Sequence, residues 1–195
     1  MSTNFKQYVH FAGKTIETTV TDKASIIDQW VSQILNIYAA NPTVVGLDIE
    51  WKPHPNSLMS NKSATLQLCI DNKCLIVQLF YVDSIPQSLK NFLMNRSFTF
   101  VGIEVQDDIE KIRNEYGLSC RKRADIREAA KVHFPGKFSM PGLKDLAREV
   151  VGLDMKKSLH ATRSDWDARV LNVDQIEYAC IDAYASYMVG NVIVV

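Results

Sequence analysis

The sequence predicts an α/β fold, a central mixed β-sheet flanked by α-helices, and three observations carry that prediction. Short β-prone runs recur through the first hundred residues, beginning with a hairpin pattern over 5–20. The run Val44-Val45-Gly46-Leu47-Asp48-Ile49-Glu50-Trp51 reads as a strand carrying two acids. The chain ends in a long helical pattern over about 173–190. Strands first, mixed elements next and helices last is the order expected when helices cover the faces of a sheet. A length of 195 residues suits one domain, 1–195, with a sizeable core.

Each element has a local reason. Gln7–Phe11 and Thr15–Val20 are β-prone, and Ala12-Gly13-Lys14 makes the turn between them. Thr21 or Asp22 can cap a helix from about Lys23 to Ala40, whose apolar stripe is Ile26, Ile27, Trp30, Ile34 and Leu35. Asn41-Pro42 stops it, because the residue before proline is pushed out of the helical region. After the acidic strand 43–51 and a polar loop, Ala64–Ile70 and Cys74–Phe80 form a second hairpin around Asp71-Asn72-Lys73. A helix over 86–95, a strand over Phe98–Ile103 and a helix near Asp108–Tyr116 follow. Residues 124–132 suit either a helix or a short strand. Ser139 can cap a helix to about Val151, with Pro141 in its first turn and Gly152 closing it. Asn172 and Gln175 form a capping pair for the last helix.

Composition narrows the function classes. Lys and Arg number 22, as do Asp and Glu, so there is no globally basic coat, and a nucleic-acid role needs a local basic patch or metals. Cys69, Cys74, Cys120 and Cys180 fit no zinc spacing and no secreted disulfide framework; Cys69 and Cys74, which flank a turn, read as free thiols buried in strands. The N-terminus lacks an apolar signal core and no apolar run is long enough to cross a bilayer, so the expected setting is the nucleus, the cytoplasm or both, with no membrane.

The chemistry rests on acids. Alternate strand side chains share a face, so Asp48 and Glu50 project together while Leu47 and Ile49 point the other way. Two neighbouring carboxylates losing water need a positive partner, which a divalent metal supplies better than a lysine. The strand 98–103 runs into Asp107 and Asp108; Asp107 is placed to cap the next helix and Asp108 lies in its first turn. Tyr178 and Asp182, four apart, share one face of the last helix. Alone, each of these has a plain alternative: solvated acids at a strand end, aspartates serving a helix N-terminus, an aromatic half in the core. Together Asp48, Glu50, Asp108 and Asp182 make an oxygen-rich site without His or Cys, which favours Mg²⁺ or Mn²⁺ and suits phosphodiester hydrolysis by two metals.

In that order, Asp-x-Glu, Asp, then Tyr-x-x-x-Asp resembles the tyrosine-bearing DEDD 3′–5′ exonucleases, and most of all the Werner-type exonuclease domain. Thr65-Leu66-Gln67-Leu68-Cys69, Phe100-Val101-Gly102-Ile103, Gly142-Leu143-Lys144-Asp145-Leu146-Ala147, Ser164-Asp165-Trp166 and Tyr178–Ala185 carry the same likeness, over about residues 5–190. The resemblance implies a ribonuclease H-like fold, with Asp48, Glu50, Asp108 and Asp182 binding two divalent ions and Tyr178 positioning the nucleophilic water. Asp108 is preferred to Asp107 on its distance from Gly102 and Lys111. Trp51 and Ile49, beside Glu50, would approach the terminal nucleotide. The partner implied is a nucleic acid, DNA or RNA, with a free 3′ end, released as 5′-mononucleotides. The chain is similar in length and N-terminal hairpin to small plant members, some of which form rings and act on RNA, so a homo-oligomer is plausible. The alternatives are a nuclease-like module that binds nucleic acid or protein, and a subunit active only within a complex.

His10, His54, His133 and His160 are scattered and receive no ligand role. Lys156, Lys157, His160 and Arg163 read as a solvated basic face, as does the run Arg121-Lys122-Arg123. Met59, Met140, Met155 and Met188 read as core or loop filler. Val192-Ile193-Val194-Val195 is either a packing segment or a tail folded back on the core.

Overall fold

A computed structural model describes residues 4–56, 58–156 and 159–195. Strands β1 (Phe5–Phe11) and β2 (Lys14–Thr21) form the first hairpin, closed by Ala12 and Gly13, both at positive φ. β3 (Thr43–Glu50), β4 (Thr65–Ile70) and β5 (Lys73–Gln78) make an antiparallel meander. β6 (Phe98–Gly102) and β7 (Arg123–Asp125) extend it in parallel. The result is one mixed seven-stranded sheet in the order β1-β2-β5-β4-β3-β6-β7, with β3 near its middle.

Helices cover both faces. α1 (Ala24–Tyr38), α2 (Gln87–Leu93) and α3 (Val105–Tyr116) pack on one, with Ile27, Trp30, Ile34, Phe92 and Ile112 meeting Val45, Leu47 and Ile49. α4 (Ile126–His133), α5 (Leu143–Val151) and α7 (Val173–Ile193) pack on the other, against Val44, Cys69, Cys74, Ile76 and Val101. A four-residue turn of helix, α6 (Leu159–Thr162), precedes α7. Alternation along β3 therefore puts Val45, Leu47 and Ile49 under α1, and Gly46, Asp48 and Glu50 under α7. Burying Leu47 and Ile49 contributes about 1.5–3 kcal/mol each, which helps offset the cost of the acids opposite them.

Several boundaries differ from the sequence expectation, each for a tertiary reason. α1 is not capped by Thr21 or Asp22. Its first amide, that of Ala24, donates to Asp83 Oδ1 at 2.9 Å, while Thr21 Oγ1 accepts from Lys23 N at 3.0 Å. Asp22 is instead fully buried, paired with Arg169 at 2.5 Å and bonded to Asn4. Asp107 does not cap α3, which starts earlier with Glu104 at its N-cap in the left-handed region (φ 53°). Ser139 does not cap α5, because the loop runs on to Gly142, whose amide donates to Asp145 Oδ2 at 3.2 Å. The ambiguous stretch 124–132 is both things: β7 ends at Asp125, which caps α4 through Arg127 N and Glu128 N.

Other expectations hold. Asn172 and Gln175 form a reciprocal capping box on α7. Cys69 and Cys74 sit opposite each other across the β4–β5 hairpin, and all four cysteines are free and buried. Met155 is buried while Met59 and Met140 are exposed in loops. Val192 and Ile193 continue α7 and Val194 caps it; Ile193 and Val194 pack against the core, leaving Val192 and Val195 exposed.

Candidate active site

Close approach of α7 to β3 assembles the site. A Cβ on Gly46 would lie 1.9 Å from the Ala183 carbonyl oxygen and 2.8 Å from the Tyr187 amide nitrogen, so only glycine lets the two backbones meet. From that contact, two and four residues along the same strand face lead to Asp48 and Glu50, while Asp182 and Tyr178 follow back along α7. Asp48, Glu50 and Asp182 thus bring one carboxylate oxygen each to within 4.8 Å of one another. Asp108, in the first turn of α3, stands outside this triad but close enough for its charge to act on Glu50 and for that of Asp48 to act on it. Asp107 is exposed, whereas Asp108 is partly buried.

The turn that aims α3 is braced from the side. Asp125 Oδ2 accepts from Glu104 N at 2.7 Å, and Arg127 pairs with the Glu104 carboxylate at 2.7 Å. These contacts hold a non-glycine residue in the left-handed region, which costs of order 1 kcal/mol or more unless its surroundings impose it.

Electrostatically the cluster is unbalanced. Burial pushes Asp48 up to about 7, against the pull of the Ile49 amide on its Oδ1 at 3.0 Å. Burial, then the charges of Asp48, Asp182 and Asp108, push Glu50 up to about 10. Asp108 rises to about 8 through burial and then Asp48. Asp182 lies well above the usual carboxylate range for the same two reasons, opposed by a hydrogen bond from Tyr178. Among the described residues no lysine or arginine forms an ion pair with any of the four. Close, half-buried carboxylates that pair with no lysine or arginine among the described residues, and with oxygen as the only donor atom, fit a hard divalent cation.

Tyr178 is held at the edge of this cluster. Its hydroxyl accepts from Thr162 Oγ1 at 3.1 Å and lies close enough to Asp182 to favour the ionised carboxylate, and the buried Trp166 ring lies 6.1 Å from its own. Burial and the Asp182 charge push the phenol above its ordinary value. Gln175, besides capping α7, donates to Ser164 Oγ at 2.9 Å and to the Asp165 carbonyl at 3.1 Å, tying the Trp166 loop to the helix.

Past Glu50 the chain forms the rim. Trp51 is half-buried beneath the Lys111 ammonium, 5.2 Å from its ring centre. That ammonium also donates to Ser60 Oγ at 3.1 Å, the Asn61 carbonyl at 2.7 Å and Glu115 Oε1 at 2.6 Å. Lys52 pairs with Asp165 at 3.2 Å, joining this rim to the Trp166 loop. Ile49 is a correction: its side chain is 3% exposed and lies in the core under α1, so a substrate could meet only its backbone. Spacing along the chain did not reveal the bracing roles of Thr162, Trp166 or Lys111; only the Glu115 partner of Lys111 stands at a helical interval that signals a contact.

His10 stands at the tip of the first hairpin, where it bonds to Thr15. His54 bonds to Asn56, His133 stacks on Phe134, and His160 is exposed on α6. Lys156 and Arg163 are exposed, and Lys157 lies outside the described residues. Arg121, Lys122 and Arg123 are exposed at the β7 edge of the sheet.

A family profile described as 3′-5′ exonuclease matches residues 19–193. A 3′-5′ exonuclease of Arabidopsis thaliana is 32% identical over 151 residues, covering 76% of this chain and 52% of that protein. The chain spans about half the length of such relatives. Escherichia coli RNase D, an exoribonuclease, shares the fold, with a TM-score of 0.65 at 23% identity over 81% of this chain and 40% of that one. The EXD2 exonuclease domain soaked in Mg and GMP aligns with a TM-score of 0.52 at 26% identity, over 88% of this chain and 85% of that one.

Proposed function

Since the chain belongs to the 3′–5′ exonuclease family, we propose that it is a metal-dependent exonuclease that removes 5′-mononucleotides from the 3′ end of a nucleic acid. The observation that carries this reading is the meeting of Asp48, Glu50 and Asp182 within 4.8 Å, with Asp108 beside them and, among the described residues, no lysine or arginine paired with them. Mg²⁺ or Mn²⁺ is the cofactor this oxygen donor set favours, and the EXD2 domain soaked in Mg and GMP supports the choice. Asp48, Glu50 and Asp182 would hold one ion, and Asp108 with Asp48 a second. Bound there, the ions would lower the pKa of a water and offset charge on the scissile phosphate.

The chain's own residues do the rest. With its proton retained, the Tyr178 phenol serves as a hydrogen-bond partner that orients the attacking water and not as a general base. Thr162 and Trp166 keep it there. Trp51, steadied by Lys111, offers an aromatic face to the substrate strand at the rim past Glu50. Four free thiols support a reducing setting, nucleus or cytoplasm.

The test is a 5′-labelled single strand, as DNA and as RNA, incubated with the protein and Mn²⁺. Stepwise shortening from the 3′ end is expected, and Asp48→Ala should slow it about 10³-fold, the several kcal/mol a bound cation contributes. Equal shortening by both proteins would overturn the reading. Binding of the strand by both without shortening by either would favour a nuclease-like binding module.

A further inference from the structure

A cavity of about 630 Å³ opens beside Tyr178 and Asp182, on the side of α7 turned toward the first hairpin. Its floor is the outer face of α7, where Glu177 and Ile181 lie one turn apart from neighbours that line the same space. One wall is the tip of the β1–β2 hairpin, with His10 and Phe11; the other is the loop after α5, with Asp154 and Lys156. β1 lies wholly outside the stretch matched by the family profile. The hairpin tip is fixed: His10 bonds to Thr15 across the strands at 3.1 Å, and Phe11 packs edge-on to Tyr184 at 6.2 Å. The volume falls within the range of small-molecule sites.

We propose that this cavity receives the base of the 3′-terminal nucleotide and favours bases that carry an exocyclic amino group. This rests on the exonuclease reading above. In an in-line displacement the leaving 3′ oxygen lies opposite the attacking water. The upstream strand therefore departs away from Tyr178, the water-side residue, and only the terminal nucleotide is left to turn toward the cavity beside it. The lining selects the part of the nucleotide that enters. Among the described lining residues, the exposed carboxylates of Asp154, Asp174 and Glu177 outnumber the Lys156 ammonium, with the His10 imidazole beside them, which disfavours entry of a phosphate. Phe11 and Ile181 offer apolar surface to a base plane. Carboxylates accept hydrogen bonds and donate none, so the amino group of cytosine, adenine or guanine finds a partner where the O4 of uracil meets a second acceptor.

Cytosine and uracil endings separate this idea from general affinity, because the two bases differ at that group. Strands identical except for a 3′-terminal C or U are digested under single-turnover conditions, and CMP and UMP are titrated onto the protein with Ca²⁺ as an independent binding readout. The parent should prefer C by about tenfold in both, the worth of one hydrogen bond to a charged group. Glu177→Gln and Asp154→Asn add an amide donor on exposed positions and should reduce the ratio to about one or reverse it in at least one of the two. Equal treatment of C and U by the active parent would overturn the proposal. So would a preference unchanged in both variants. A protein that digests nothing yet binds CMP over UMP in a Glu177- or Asp154-dependent way would sink the exonuclease reading and leave the cavity assignment standing.

Discussion

A single added methyl group, in Gly46→Ala, tests whether α7 sits on β3 as described. The new Cβ would stand 1.9 Å from one backbone atom of α7 and 2.8 Å from another, and neither can rotate away as a flexible side chain would. Ordinary contact begins near 3.4 Å, so the helix must retreat by about 1.5 Å. Overpacking of this kind costs about 1–3 kcal/mol, and a backbone obstacle puts it at the upper end. For a chain of this size that lowers Tm by about 6–12 °C. Ala183 adjoins Asp182, so the retreat draws one carboxylate out of the cluster, and a displacement of about an ångström costs about 10²-fold in rate. Thermal melts and single-turnover digestion in Mn²⁺, run below both melting temperatures, read the two effects. Gly142→Ala, with ordinary φ and no backbone obstacle near its Cβ, is the control and should change stability by under about 1 kcal/mol. If Gly46→Ala melts within about 2 °C of the parent and digests at the parental rate, the strand and helix do not meet as argued and the site dissolves with them.

Three other outcomes follow from the same geometry. In EDTA at pH 8, Asp182→Asn should raise stability by about 1–3 kcal/mol while abolishing digestion, because it removes a carboxyl that must either take up a proton or carry an uncompensated charge when the chain folds; an unchanged or lower melting temperature counts against the cluster. The parent's own stability should depend on pH: Asp48 and Glu50 titrate at about 7 and about 10 when folded, far above their ordinary range near 4. The folded state then holds the extra protons, so their contribution is full below about pH 4 and is lost as pH climbs through 7 toward 10. Urea midpoints from pH 5 to 9 should fall in EDTA and flatten in Mn²⁺, and a flat EDTA profile would refute the raised values. Lys111→Met should raise KM several-fold with kcat little changed, by loosening Trp51 and the loop at Ser60 and Asn61. Lys111→Arg should recover part of that affinity, and a pure kcat loss would assign Lys111 a different role.

Local pattern was enough for much of this molecule. The two acids on one strand face follow from the two-residue period of β3, and Tyr178 with Asp182 from the four-residue interval of α7. The Asn172–Gln175 box marked the start of α7 because both halves of that contact lie within one turn of chain. Where the partner lies far away, sequence misled. Asp83, not Thr21 or Asp22, caps α1 from across a loop. Glu104, pinned by Asp125 and Arg127, starts α3 before Asp107. Ile49, set beside the substrate only by the resemblance, points into the opposite core, as the two-residue period of β3 requires.

What the sequence by itself determined, then, is which side chains share a face and what chemistry four acids and a tyrosine can support, since both depend on residue type and spacing alone. That the two faces meet, that Lys111 steadies Trp51 and that a hairpin tip walls a cavity beside Tyr178 were decided only in three dimensions. Each depends on the packing of segments remote in the chain, and on the absent side chain of Gly46 that lets a helix lie directly against a strand.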